Sequence, residues 1–215
     1  MAFGECALAL RLGNLEAASR SVAEVVQIAE SHALADHLSY GLALLEIISL
    51  RKAGAKAGPE QVRTTIDRWR ASQWHVVLTA ADVAGPALEA GHCGMIAAIV
   101  EEALQRAERD QDLWAWPELL RIKGEILLRQ DLPDARQARQ CFERSLERAR
   151  SQGALAWQLR TAASLCRLNL AQTGARRSCE VLTETLAQFR EGFDTADLRA
   201  ARQLLAMPAD LRKPG

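Results

Sequence analysis

The spacing of apolar residues predicts helices along almost the whole chain. Between residues 116 and 149, apolar positions recur every three or four residues on both sides of a short polar break at 131–134, which predicts two antiparallel helices. Gly124 lies inside the first of these helices, where glycine costs about 1 kcal/mol relative to alanine. We expect close approach of the second helix to offset this cost. The small or apolar residues of that helix available for the contact are Ala138, Phe142 and Ser145.

Turn signals divide the chain into five helical hairpins and a terminal helix. Glycine-containing breaks at Gly13, Gly54–Gly58 and Gly91–Gly94 separate the helical stretches. The predicted hairpins span residues 4–32, 34–72, 76–110, 115–152 and 155–191, with a capping helix at 195–206, so that residues 1–215 form one helical repeat domain. In the second hairpin, one side of the first helix is predicted to carry Leu38, Leu42, Leu45 and Ile48. Pro86 predicts a kink or an early end in the first helix of the third hairpin.

A shared register in the second helices favours a repeat architecture. Each of these helices carries a small or apolar residue followed by others four and seven positions later. The triplets are Ala18, Val22 and Val25; Val62, Ile66 and Trp69; Ile96, Val100 and Ala103; Ala138, Phe142 and Ser145; and Ser178, Leu182 and Thr185. Small residues stand twelve positions before three of the starts, at Cys6, Ala84 and Cys166, but the second hairpin has the bulky Leu50 there. An ordinary helical bundle is the alternative, because degenerate heptad-like spacing does not exclude it.

The fourth and fifth hairpins resemble a known family. The resemblance is carried by Pro117–Glu125, Cys141–Leu146, Gln158–Arg160 and Glu191–Leu198, and it covers roughly residues 113–206. These stretches are similar to the C-terminal tetratricopeptide-like region of large bacterial transcriptional regulators and nucleotide cyclases that carry an NTPase module. The resemblance implies an all-α fold, namely a tetratricopeptide-like right-handed α-solenoid of about five hairpins plus a C-terminal capping helix. It also implies a role in signal transduction or transcription regulation through protein binding, without catalysis.

The balance of charges and the cysteine pattern argue against nucleic acid and membranes as partners and favour a cytoplasmic location. The 27 basic and 27 acidic side chains cancel, so no overall field would draw the chain to nucleic acid or to an anionic membrane. The apolar run at 42–50 contains Glu46 and is too short for a membrane span. The five cysteines form no C-x-x-C pair, and their odd number and irregular spacing argue against a disulfide framework. A cytoplasmic location is therefore expected.

No residue pattern points to catalysis, a metal or a cofactor. The glycines Gly91 and Gly94 lack the lysine of a phosphate-binding loop. Neighbouring residues such as His92 and Cys93 rarely both reach one zinc ion, so a packing role is favoured for them. The cysteines lie in apolar settings or turns without a clear histidine partner, which favours buried packing over nucleophilic chemistry. A cysteine enzyme is the competing hypothesis, and selective labelling of one low-pKa cysteine would support it.

The polar residues on the first helices of the hairpins form the candidate binding surface. In stacked hairpins the first helices line a concave surface on which peptides or helices dock. Glu118, Arg121, Glu125, Arg160 and Arg167 lie on the sides that helical spacing leaves free of core residues. They predict a charged groove for an acidic or C-terminal carboxylate segment, with arginine as a forked donor. In an exposed groove, charge reversal at Arg121 and Arg160 should abolish binding at little cost in stability. The alternative is an ordinary surface pair between Arg121 and Glu125.

These observations predict a non-catalytic protein–protein interaction or regulatory module that binds a partner segment or domain in its concave groove. The expected partner is a protein, such as an NTPase, cyclase or DNA-binding module of the same regulator, with no direct binding of nucleic acid and no membrane. A homodimer through an open end of the solenoid is a further arrangement that fits the pattern. A small-molecule effector-sensing domain is the alternative function, which bound ligand in native mass spectrometry would favour.

Overall fold

The computed structural model describes residues 2–72, 77–173 and 179–207, and most of these residues are helical. These ranges hold eleven α-helices and one short 3-10 helix, and no strand. The prediction of an all-α protein is therefore confirmed. Within the same ranges, no helix combines the length and apolar character needed to cross a membrane.

The chain divides into two compact units, Met1–Ala103 and Leu104–Gly215. The helices that begin in the first unit are α1 (Ala2–Arg11), α2 (Leu15–Ser31), α3 (Ala35–Ala53), α4 (Pro59–Ala71), α5 (Val77–Glu89) and α6 (Cys93–Asp110), with the 3-10 helix at Gly54–Lys56. The helices of the second unit are α7 (Trp116–Leu128), α8 (Ala135–Ser151), α9 (Leu155–Thr173), α10 (Glu180–Ala187) and α11 (Ala196–Ala206).

In the first unit, a glycine decides which face of α3 meets α2. A Cβ atom at Gly41 would lie 2.7 Å from Cγ2 of Val26, so only glycine permits this approach of the two helices. Gly41, Leu44 and Ile48 then share the face that is buried, because they are three and seven positions apart. Of the residues predicted to share one side of this helix, Ile48 is buried and three leucines are half-buried, namely Leu38, Leu42 and Leu45.

Pro86 does not end its helix early, so that one of the two expectations for this residue is wrong. Helix α5 continues to Glu89, and Pro86 itself is buried. The residue before a proline normally leaves the helical region because its Cβ atom meets the proline ring. Here that residue is Gly85, which has no Cβ atom, so the helix can continue through the proline.

In the second unit, the predicted close approach at Gly124 is confirmed. A Cβ atom at Gly124 would lie 2.5 Å from Cε1 of Phe142 on α8. Phe142 is fully buried, and Leu165 and Leu168 of α9 belong to the same core cluster. The core cluster around Phe142 therefore joins the hairpin of α7 and α8 to α9, the helix that follows it.

The residues of the shared register lie in the core. Every member of the five triplets is buried except Ser178, which lies outside the described residues. The two polar members among the described residues, Ser145 and Thr185, form hydrogen bonds within the protein through their hydroxyl groups. Ser145 Oγ donates to the carbonyl oxygen of Pro117 at 2.7 Å and lies 2.8 Å from the hydroxyl of Thr161, and Thr185 Oγ1 donates to the carbonyl oxygen of Val181 at 2.7 Å.

One pair of cysteines departs from the expectation of unpaired thiols. Cys166 of α9 and Cys179 at the start of α10 form a disulfide, with Cα atoms 4.7 Å apart. Their thirteen-residue separation carries no recognisable spacing signal, because the bond joins residues of two different helices that pack on each other. Cys6, Cys93 and Cys141 lie outside this disulfide. The cysteine pattern therefore does not argue for a cytoplasmic location.

Candidate functional site

The structure brings all five predicted binding residues together on α7 and α9. Glu118, Arg121 and Glu125 lie at positions i, i+3 and i+7 of α7, and Arg160 and Arg167 lie seven positions apart on α9, so each set occupies one helix face. Three further residues complete the arrangement. We call the whole set the charged seam, and its members are Glu118, Arg121, Glu125, Arg129, Arg160, Ser164, Arg167 and Asp197.

One end of the charged seam is organised around Glu118. Arg121 donates to both carboxylate oxygens of Glu118, from Nε to Oε2 at 2.9 Å and from Nη2 to Oε1 at 2.8 Å. Arg160 donates from Nη1 to Oε1 of Glu118 at 3.2 Å and from Nε to Oδ2 of Asp197 at 2.7 Å. A single guanidinium group on α9 therefore links α7 to α11.

The other end is organised around Glu125, where three guanidinium groups surround one carboxylate. Ser164 Oγ donates to Oε1 of Glu125 at 2.6 Å, and Arg167 Nη2 donates to the same oxygen at 3.3 Å. Arg129 Nη1 pairs with Oε2 of Glu125 and also donates to its carbonyl oxygen at 3.0 Å. Arg121 Nη1 lies 3.9 Å from Oε1 of Glu125 and so connects the two ends of the seam.

These contacts keep both glutamates ionised. Burial alone would raise the pKa of Glu125, but the hydrogen bond from Ser164 and the charges of Arg167, Arg129 and Arg121 outweigh it and lower the pKa to about 2. Burial likewise opposes ionisation of Glu118, and the guanidinium groups of Arg121 and Arg160 lower its pKa below the ordinary value. The seam is therefore a set of charges at neutral pH.

The glutamates do not lie on a side free of the core, which corrects the expectation from helical spacing. The side chains of Glu118 and Glu125 are only 8% and 7% exposed, because α9 packs over this face of α7. The arginines become more exposed toward the Glu125 end, where Arg129 and Arg167 reach 45% and 53%. Charge reversal at Arg121 and Arg160 would strand a buried carboxylate, so a loss of stability is now expected from it.

Three members of the charged seam were not among the residues predicted from the sequence, namely Arg129, Ser164 and Asp197. Arg129 follows Glu125 by four residues, which is a recognised spacing for an ion pair along a helix. The pairing of Arg129 with Glu125 could therefore have been predicted from the sequence. Ser164 and Asp197 join only because α9 packs against α7 and α11. The sequence holds no local signal for these contacts between helices.

An aromatic pair lies next to the Glu118 end. The rings of Trp114 and Trp157 are 5.2 Å apart between centroids, and Trp157 is three positions before Arg160 on α9. Trp114 is 37% exposed, although large apolar side chains are usually withdrawn from water. Arg144 lies over the ring of Trp116, 5.0 Å from its centroid. Trp114, exposed, and Trp157, half-buried, thus place apolar surface beside the charges.

The other candidates for chemistry have packing roles or lie outside the described ranges. His92 Nε2 donates to the carbonyl oxygen of Ala57 at 2.9 Å, which fits the expected packing role. Burial, with a smaller contribution from Asp82, raises the pKa of the Cys6 thiol to about 11, opposite to the change that activates a nucleophile. His75 lies outside the described residues. Among those described, no group of three or more histidine, cysteine or acidic side chains is arranged to hold a metal ion.

No family model matches the sequence, and neither the curated proteins nor the solved structures give a significant match.

Proposed function

We propose that this chain is a non-catalytic interaction module of the tetratricopeptide-like class, and that the charged seam is its partner-binding surface. The observation that carries the proposal is the convergence of all five sequence-predicted residues into one continuous set of ion pairs with exposed arginines at one end. Arginine recognises carboxylates through paired N–H donors, so an acidic segment of a partner protein is the ligand that fits.

The packing of the second unit supports the repeat part of the proposal. Helix α9 packs on α7, α8, α10 and α11, and α8 packs on α7, so the first helices of successive hairpins adjoin one another. In tetratricopeptide-like arrays, that row of first helices forms the binding face. Under this proposal, α7 and α9 supply the face, and α11 takes the place of the first helix of a further hairpin.

The proposed role is regulatory. The resemblance of residues 113–206 to the C-terminal region of bacterial signalling and transcription regulators suggests that the partner is an NTPase, cyclase or DNA-binding module. Binding would bias such a partner only through different affinities for two of its states.

The test compares two arginine variants of the full chain in affinity capture from bacterial lysate, read by mass spectrometry. Arg167→Gln removes an exposed guanidinium from the charged seam. Arg139→Gln is the matched control, because Arg139 of α8 also bonds to α9, through Asn169 at 2.6 Å and Gln172 at 2.8 Å, but lies outside the seam. A protein retained by the parent and the control and lost with Arg167→Gln is expected. Identical captures by all three chains would count against the seam as the binding surface.

A further inference from the structure

The charges of the seam are not evenly balanced along its length. Its ion pairs join four arginines to three carboxylates, so the seam carries one excess positive charge. At the Glu118 end, two guanidinium groups, those of Arg121 and Arg160, face two carboxylates, those of Glu118 and Asp197. The excess therefore lies at the Glu125 end.

The two arginines at that end are also the most exposed. Arg129 contacts Oε2 of Glu125 and Arg167 contacts Oε1, so their guanidinium groups approach the same carboxylate through different oxygens. Each retains about half of its side chain in water while Glu125 beneath them is buried. A second carboxylate brought to these two groups would meet a net positive site whose positive charges are already held in place by Glu125.

The opposite end of the same helix face is apolar. Trp157, Arg160, Ser164 and Arg167 follow one another at three- and four-residue steps on α9, and the ring of Trp157 contacts that of Trp114 in a tilted arrangement, with an angle of 41° between the planes. Ten positions separate Trp157 from Arg167, which corresponds to about 15 Å along a helix. An extended peptide covers this distance with about four or five residues.

We propose that the charged seam reads a two-part motif in an extended partner segment, which rests on the proposed function above. An acidic side chain of the segment binds between Arg129 and Arg167, and an aromatic or apolar side chain about four or five positions away packs against Trp114 and Trp157. The intervening residues cross the distance between Arg167 and Trp157 over Arg160, whose side chain is 25% exposed, and do not reach the buried Ser164. The aromatic pair supplies desolvated contact area and the arginine pair selects for negative charge.

The experiment measures fluorescence anisotropy of labelled ten-residue peptides with the full chain. In a glycine and serine background, the parent peptide carries one phenylalanine and one glutamate five positions apart. A second peptide has glutamine for the glutamate, and a third places the two residues only two positions apart. The parent chain should bind the first peptide about tenfold or more tightly than either of the others, as expected for a hydrogen-bonded charge pair.

Variants of the chain then locate the effect. Arg129→Gln/Arg167→Gln should abolish the preference for glutamate over glutamine while leaving the weak binding of the glutamine peptide unchanged. Arg139→Gln should keep the full preference. Arg129→Lys/Arg167→Lys retains both charges over Glu125 and should keep part of the preference, which provides a folded reference if the glutamine pair loses helicity.

The outcomes separate this inference from the function on which it rests. A glutamate preference that persists in both double variants, or equal binding of the peptide with short spacing, would overturn the two-part motif. If the capture experiment succeeds and no designed peptide binds, the motif is wrong and the interaction module stands. If neither the lysate nor any peptide yields binding that depends on Arg167, both proposals fall.

Discussion

Single glycines set how closely two pairs of helices approach. Gly124 brings α7 against the ring of Phe142, and Gly41 brings α3 against Val26. The first contact was open to prediction, because a glycine inside an otherwise strongly helical stretch needs a compensating contact and Phe142 stands at the right place in the next helix. The second was not, because several leucines in α3 offer competing apolar faces and only the packed structure selects the one with Gly41.

Gly124→Ala is expected to destabilise the chain, because overpacking that costs about 1–3 kcal/mol outweighs the gain in helix propensity, which is at most about 1 kcal/mol. The added Cβ atom would lie 2.5 Å from a carbon of the Phe142 ring, which is fully buried and cannot move aside without disturbing the core. Gly94→Ala in α6 is the matched control, because a Cβ atom there meets nothing within 4 Å. Alanine at that position should leave stability unchanged or raise it by up to about 1 kcal/mol. Urea unfolding followed by circular dichroism measures both, and equal stability of the Gly124→Ala and Gly94→Ala chains would contradict the close packing.

At the scale of helices, the elements were easier to predict than their partners. Periodicity located the second helices and their buried faces, because each has one apolar stripe and a charged remainder, as in α8 with Ala138 and Phe142 inward. Helix α9 is different, because it packs on four other helices and therefore has more than one buried face. Its Ser164 is buried against Glu125, although a serine in a helix suggests a solvent-facing position. Burial of polar residues by several neighbours leaves no periodic signal.

The disulfide is expected to stabilise the hairpin of α9 and α10. Cross-linking two residues thirteen positions apart restricts the unfolded chain by about 3 kcal/mol in the chain-entropy treatment. Reduction with a phosphine should therefore lower the melting temperature of the parent chain, roughly by 5–10 °C. Cys166→Ala/Cys179→Ala should melt at the lower temperature with and without reductant, and Cys141→Ala should respond as the parent does.

Thiol titration of the denatured chain provides an independent count. The parent should show three reactive thiols without reductant, those of Cys6, Cys93 and Cys141, and all five cysteines after reduction. Five thiols in the protein purified without reductant, with no effect of phosphine on melting, would show that the two cysteines are not bonded.

In the molecule as a whole, acidic and basic side chains are equal in number, but the acidic side chains differ in how far they are buried. The chain has 27 basic and 27 acidic side chains, and most of the latter lie in water. Glu118 and Glu125 differ because burial forces each to depend on nearby guanidinium groups. Both lie in the unit Leu104–Gly215, where they connect α7 to α9. Protonation of these two carboxylates should therefore weaken the connection between α7 and α9.

Acid should destabilise the chain between about pH 4.5 and pH 2, and Glu125→Gln should weaken this dependence. The folded pKa of Glu125 is about 2, below its ordinary value of 4.5, so its contribution is complete above pH 4.5 and is lost as the pH falls toward 2. The full contribution is about 3 kcal/mol. Melting temperatures at pH 7, 4 and 3 measure it, with Glu143→Gln on the exposed side of α8 as control. The glutamine chain should be less stable than the parent at pH 7 and approach it at pH 3. If the two chains keep a constant difference from pH 7 to pH 3, Glu125 does not carry the buried charge on which the seam depends.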